Sequence, residues 1–500
     1  MSTTTLSEEA KARILNPELL SLVMPAAEAA AQIKSGMVLC TSGFGTGYPK
    51  AIPTSLAETK HATELTLING AARGDRHMGA LASAGILKKF CGFMYNEDAR
   101  NICNAGALQF QDVHLGQLMT KVKNGVFGKV DFAIVECCKI KEDGSIVPTL
   151  SAGTTEAAIA LADKVLLEVN LAVPAEVEGF HDFGVPSTKL VGSPAERYGV
   201  PYIKLDPKKI AGIVITNLPD TDLYYPDIAP IYNQIAGNVV KVLDGELAAG
   251  RLQPEFTFQS GMGVVANCVM VGLMNKNYKN LKMYTEVLSD QALYAVKEGI
   301  ISEATTTALD ITPLFFDDVF QNLDFYKEHM VLRPCDFTNG APQIMAENLV
   351  AMNTAWEADI YGNVNSSHAM GSYMINGLGG SNDFARNAKL AIFTTPSTAK
   401  HGNISCIVPM VTHIDSTEHD VDVLVTEWGY ADLRGKSPKE RVSDIIDYCA
   451  HPDYREALHA YYDGAVAQCG ECQTPHDLKN AFSWHVRYSE TGSMKQEKTE

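Results

Sequence analysis

No apolar run in this sequence reaches the ~18 residues that a membrane-spanning helix requires. The opening stretch, MSTTTLSEEAKARI, lacks the charged-then-apolar order of a secretory signal. Together these absences predict a protein with no membrane role and a cytoplasmic setting. Basic residues are the minority, 41 Lys and Arg against 59 Asp and Glu, for a formal charge of −18. That balance weighs against nucleic acid as a partner, while leaving room for a local basic pocket that takes an anionic small ligand. The 11 cysteines show no disulfide-scaffold spacing. Most lie in apolar runs such as VLC and NCVM, and Cys137 and Cys138 are adjacent, so they read as reduced core thiols. Cys469 and Cys472 form a lone CxxC with no His pair nearby, too few ligands for a zinc site. HExxH, P-loop and GxSxG motifs are missing, and so is a GxGxxG followed by an acidic residue ~20 positions on. No metal is expected, and a dinucleotide-dependent oxidoreductase is disfavoured.

What is present is α/β patterning. With 500 residues, 46% hydrophobic and 20% charged, the chain can form two or three globular domains. Short β-rich runs (MVLCTSGFG, ELTLING, DFAIVECC, KVLLEVN) alternate with helical stretches (AIPTSLAETK, TTEAAIALA, APQIMAENLVAM). That alternation predicts mostly parallel sheets. Several segments of the first half recur in order in the second. TSGFGTGYPKAI (41–52) resembles QSGMGVVANCVM (259–270), and LTLINGAARGD (65–75) resembles LKMYTEVLSDQ (281–291). DGSIVPTLSAG with ADKVLLEVN resembles YGNVNSSHAMG with NAKLAIFTT, and IVITNLPD resembles VLVTEWGYAD. The expectation is two homologous α/β domains, 1–222 and 223–500, joined within the Pro- and Asp-rich stretch 217–230.

The duplication singles out Glu286. It sits in MYTEVLSD (283–290), a strand-like run where an ionised carboxylate is costly unless compensated, and the matching position of the first copy is Gly70. The strand therefore does not need the carboxylate to form. Upstream, QSGMGVVAN reads as strand, Gly-x-Gly turn and helix; such a turn bares N–H groups that favour negative charge, although by itself it reads first as a tight connection. Downstream, NGLGGSNDFARNAKL (376–390) is a glycine-rich loop able to approach a ligand closely. Lys400 in a polar turn and Glu427 at a strand end read, on spacing alone, as solvated charges, and His368 reads as structural.

Taken in order, SGMGVVAN, MYTEVLSD, YGNVNSSHAMG, NGLGGSNDFARNAKLAIF and TEWGYADLRGKSP closely resemble the acetyl-CoA hydrolase/transferase family, and within it the class I succinyl-CoA:acetate CoA-transferases. The resemblance implies two homologous α/β domains with the active site between them, in a homodimer. It also implies that Glu286 is the nucleophile that becomes a glutamyl-CoA thioester. Gly261, Met262, Gly263, Val264 and Val265 fall on the CoA-contacting turn, with the Met262 N–H as oxyanion donor. Asn376, Gly380 and Lys400 fall on CoA-contacting positions, Asn339 and Gly380 on positions that hold a carboxylate beside the nucleophile, and Glu427 on a second active-site glutamate.

The implied reaction moves CoA between an acyl-CoA and a small carboxylic acid, with succinate and acetate the first choice. No permanently bound cofactor is expected, since CoA and acyl-CoA are substrates. An acyl-CoA hydrolase, a butyrate- or propionate-type transferase and a non-catalytic acyl-CoA-binding protein are the competing readings. The last ~30 residues, with the CxxC and the SMKQEKTE tail, read as peripheral.

Overall fold

The structure is a computed structural model that describes residues 6–221, 223, 229–261, 263–276, 278–470 and 472–496. The chain forms two compact units, Met1–Tyr224 with Met283–Val296 and Ser302–Glu347, and Tyr225–Lys282 with Lys297–Ile301 and Asn348–Glu500. The first break lies beside the expected one at 222/223. The units nevertheless differ from two contiguous halves, because two segments of the second half, Glu286 included, belong to the first unit. Main-chain pairing explains this. Ala152 N–H donates to Thr307 O (2.8 Å), Leu309 N–H to Leu150 O (3.0 Å) and Cys335 N–H to Gly153 O (2.8 Å). Thr46 Oγ1 donates to Leu309 O (2.9 Å), and Arg73 pairs with Asp310 at 2.7 Å, both buried.

The first sheet contains β1 (Val38–Thr41), β2 (Leu65–Ala72), β3 (Leu87–Met94), β4 (Gln109–Gln111), β5 (Phe132–Ile140), β6 (Ile146–Pro148), β7 (Lys164–Asn170) and β8 (Ile210–Thr216). Its order is β4-β3-β2-β1-β5-β7-β8, all parallel, with β6 antiparallel on β5. Runs such as FAIVECCKI are buried almost throughout, as parallel strands covered on both faces must be.

The second sheet contains β9 (Thr257–Ser260), β10 (Leu281–Tyr284), β11 (Ile301–Thr306), β12 (Met330–Leu332), β13 (Val350–Thr354), β14 (Leu390–Thr394), β15 (Val423–Val425) and β16 (Tyr430–Asp432). Its order, β12-β11-β10-β9-β13-β14-β15-β16, repeats that of the first sheet strand for strand up to β15. The recurring segments fall on corresponding strands: 41–52 and 259–270 on β1 and β9, 65–75 and 281–291 on β2 and β10, KVLLEVN and KLAIFTT on β7 and β14, IVITNLPD and VLVTEWGYAD on β8 and β15.

One expectation is overturned. The C-terminal segment is integral to the second unit. Trp484 and Met494 are buried in a core with Phe393, Ile445, Ile446, Tyr454 and Leu458, and His485 Nε2 pairs with buried Glu357 at 2.8 Å. The polar composition of 470–496 hides this because its few large apolar residues are widely spaced. All cysteines are free thiols, and only Cys469 and Cys472 are exposed. Among the described residues no helix is long and apolar enough to cross a membrane.

Two buried histidines of the first unit set an acid limit. His77 stacks on Tyr48 (ring centroids 5.7 Å apart) and His181 on Phe183 (5.3 Å). Burial, helped by the nearby Lys50 and Arg197 charges respectively, lowers each imidazole to about 3. A depressed imidazole contributes stability that is complete above the unfolded value of ~6.5 and is lost as pH falls towards 3. Each ring should therefore cost ~1 kcal/mol per pH unit on that limb. Urea unfolding between pH 7 and 5 should show this fall, and the double variant His77→Gln/His181→Gln should flatten it. An unchanged slope in the variant would refute the assignment.

Candidate active site

Glu286 follows β10, in a bend between that strand and the short strand Val287–Leu288, which pairs in parallel with Ala308–Leu309. Its backbone is clamped on both sides. Thr285 N–H donates to Thr305 O (2.9 Å), while the Glu286 carbonyl accepts from Thr307 N–H and from Thr306 Oγ1, each at 3.0 Å. The side chain is half-buried rather than buried, because the bend takes it out of the pleat. Asn339 Nδ2 donates to Glu286 Oε1 at 2.6 Å. Asn339 ends the short helix Cys335–Thr338 and is itself buried. Gly116 lies so close to it that a Cβ there would meet Asn339 O at 2.7 Å, so the approach requires glycine. Of the expected site residues, Glu286 and Asn339 are thus in direct contact, both in the first unit.

The others belong to the second unit. Gly261 closes β9 by donating its N–H to Met352 O (3.0 Å). Gly263 has φ +111°, which an L side chain adopts only under strain, and it precedes the helix Val264–Asn275, whose first turn holds Val264 and Val265. Met262 lies outside the described residues. Asn353, near the end of β13, links β9 to the 376–390 segment: it accepts from Gln259 Nε2 (3.3 Å) and donates to Ser381 O (3.4 Å), beside Gly380. The buried Asn376 Oδ1 has no hydrogen-bond partner among the described residues. Glu427, just past β15, is gripped by Ser397, whose N–H donates to one carboxylate oxygen (2.8 Å) and whose Oγ donates to the other (2.5 Å). Lys400 is exposed, at φ +50° in the turn between the paired strands Thr398–Ala399 and Ile404–Ser405.

His368 does have polar neighbours: Ser367 Oγ lies 2.8 Å from its Nδ1 and the His413 ring is 4.0 Å away. Ser367 Oγ also reaches Asp415 at 2.8–2.9 Å. The serine thus stands between imidazole and carboxylate, which is not the order of a Ser-His-Asp relay. Among the described residues no group of His, Cys, Asp and Glu could hold a metal ion.

A family model of the acetyl-CoA hydrolase/transferase N-terminal domain matches residues 10–215, and one of the C-terminal domain matches 316–462. The chain belongs to the acetyl-CoA hydrolase/transferase family. Relatives in this family span nearly all of it. A succinyl-CoA:acetate CoA-transferase of Clostridium kluyveri is 41% identical over 97% of this chain and 92% of its own. An acetyl-CoA hydrolase of Schizosaccharomyces pombe is 39% identical over 97% and 98%. The crystal structure of RipA from Yersinia pestis superposes with a TM-score of 0.71 at 19% identity, over 90% of this chain and 98% of that one, a likeness of fold.

One polar centre of this family member escaped the sequence reading. Lys50 Nζ is buried between Glu136 (2.6 Å) and Asp220 (2.9 Å). Thr149 and Asn170 side chains also donate to Glu136, and Gly47 N–H donates to Asp220. Burial opposes the charge of Lys50, but Asp220 and Glu136 outweigh it and hold the ammonium above its ordinary range. Nearby, buried Glu168 accepts from the N–H groups of Lys50, Ala51 and Ile52. The signal was present: Glu136 and Glu168 each interrupt an apolar strand run, as Glu286 does, and both are more deeply buried. Lys50→Met would leave two buried carboxylates facing each other and should cost about 3–5 kcal/mol in denaturant unfolding. A wild-type midpoint would show that the cluster carries no such charge.

Proposed function

We propose that this protein is a CoA-transferase that exchanges CoA between an acyl-CoA and a small carboxylic acid, with succinyl-CoA and acetate giving acetyl-CoA and succinate as the preferred reaction. The observation that carries the reading is Glu286: a half-buried carboxylate on a clamped backbone, with an amide donor at 2.6 Å. A carboxylate needs no general base, because it is already ionised.

In the first step a Glu286 oxygen attacks the thioester carbonyl. The tetrahedral oxyanion collapses, the C–S bond breaks, and a mixed anhydride and CoA thiolate result. The thiolate then attacks the glutamyl carbonyl and expels the first acid as its carboxylate, leaving glutamyl-CoA. An incoming carboxylate reverses both steps. No electrons change hands and no proton must move, so Glu286, its donors and water exclusion suffice. Gly261, Met262, Gly263, Val264 and Val265 would hold CoA, with the Met262 N–H on the oxyanion. Asn376, Gly380 and Lys400 would add CoA contacts, Asn339 and Gly380 would hold the acid, and Glu427 would face the reacting acyl group. Losing one such oxyanion donor typically raises the barrier by ~3 kcal/mol. The working form in this reading is a cytoplasmic homodimer.

Hydrolysis is the second reading, favoured by the 39% identity to an acetyl-CoA hydrolase. Intact-protein mass after mixing with succinyl-CoA, without acceptor, separates the two. Transfer predicts a CoA adduct on the Glu286 peptide that acetate discharges as acetyl-CoA. An adduct that drains equally fast without acetate supports hydrolysis. Glu286→Ala should fold normally and retain less than a few per cent of turnover; higher retention would remove Glu286 as the nucleophile.

A further inference from the structure

We infer that Thr338 is a positioning residue that sets the orientation of the Asn339 side-chain amide and so keeps its N–H aimed at Glu286. The inference rests on the proposed role of Glu286 as nucleophile. Thr338 is fully buried and Asn339 nearly so. Thr338 Oγ1 lies 3.0 Å from Asn339 Oδ1, and Cys335 Sγ lies 3.7 Å from the same oxygen. The competing acceptor for the Thr338 hydroxyl is Cys335 O, at 3.3 Å, and that carbonyl already receives the Asn339 N–H at 2.9 Å. The nearer amide oxygen is therefore the better partner for the hydroxyl proton. With Oδ1 held from one side, Nδ2 must face the other, where Glu286 Oε1 sits at 2.6 Å.

The arrangement matters most once the nucleophile has reacted. While Glu286 is a carboxylate, its charge favours the same amide orientation, since a flipped Asn339 would set two acceptors against each other. Acylation removes that charge. Glu286 is then a neutral anhydride or thioester, and the Thr338 and Cys335 donors still favour the productive amide orientation. The next attack, by thiolate or by carboxylate, builds negative charge on the glutamyl carbonyl oxygen, beside Nδ2. A donor on Oδ1 also polarises the amide and strengthens its N–H. Thr338 thus acts through Asn339 on the steps that consume the covalent intermediates, and touches no substrate.

The test compares wild type, Thr338→Val and Thr338→Ser by steady-state kinetics, thermal unfolding and the rate at which acetate discharges preformed glutamyl-CoA. In Thr338→Val, kcat and the discharge rate should fall 10- to 100-fold while KM for the acyl-CoA stays within threefold. Thr338→Ser, which keeps the hydroxyl, should recover at least a third of the wild-type values. Wild-type discharge in Thr338→Val, or equal loss in Val and Ser, would overturn the inference. If Thr338→Val does not fold, Thr338→Ala removes the same hydroxyl and should slow discharge at least threefold; an unchanged rate there overturns it as well. If wild type forms no glutamyl adduct, the nucleophile assignment itself fails, an outcome distinct from normal discharge in the variants.

Discussion

A parallel strand can be followed by its neighbour only after a crossover, so each strand of such a sheet delivers its carboxyl end to one edge, where loops are free to vary. The residues proposed for the site, and those that hold them, follow that constraint strand by strand. Gly261 follows β9, Glu286 follows β10, Asn353 lies near the end of β13, Ser397 follows β14 and Glu427 follows β15. The strands supply rigid, buried supports for the residues just beyond them. Glu286 is the clearest case, since its backbone is fixed by Thr305, Thr306 and Thr307 while its carboxylate leaves the pleat towards Asn339.

Duplication makes the same frame serve two ends. In the first copy the matching residue, Gly70, lies within β2, and the Lys50 charge cluster draws its carboxylates from β5 and from the segment after β8. There the helix Ala51–Thr59 begins against the Glu168 carboxylate, which takes the N–H groups of Lys50, Ala51 and Ile52. In the second copy the position matching Glu168 is the buried Phe393, and the residue before the matching helix is Gly263, which has no side chain to cap it.

Much of this was legible in the residue order. Repeated glycine turns and β-rich runs are local patterns, and they landed on corresponding strands of two sheets with one topology. Glu286 and Asn339, 53 positions apart, were both singled out and are in contact. The rest depended on distant partners. Lys50 draws on Glu136 and Asp220, and no spacing rule joins the three. Trp484 and Met494 look isolated in a polar tail, yet each enters a core whose other members lie far earlier in the chain, Ala355, Ala358 and Val364 among them. The regrouping of 283–296 and 302–347 with the first unit rests on main-chain bonds at 150–153, and backbone pairing leaves no mark on side-chain composition.

That regrouping also bears on how the chain emerges from the ribosome. The first unit cannot close when residue 224 has been made, for its remaining segments extend to residue 347. Translation adds about 5–20 residues per second, so the intervening 347 − 224 = 123 residues take on the order of ten seconds. Throughout that interval the first sheet has all its strands, but the main-chain groups of 150–153 beside it wait for Thr307, Leu309 and Cys335, which are still being synthesised.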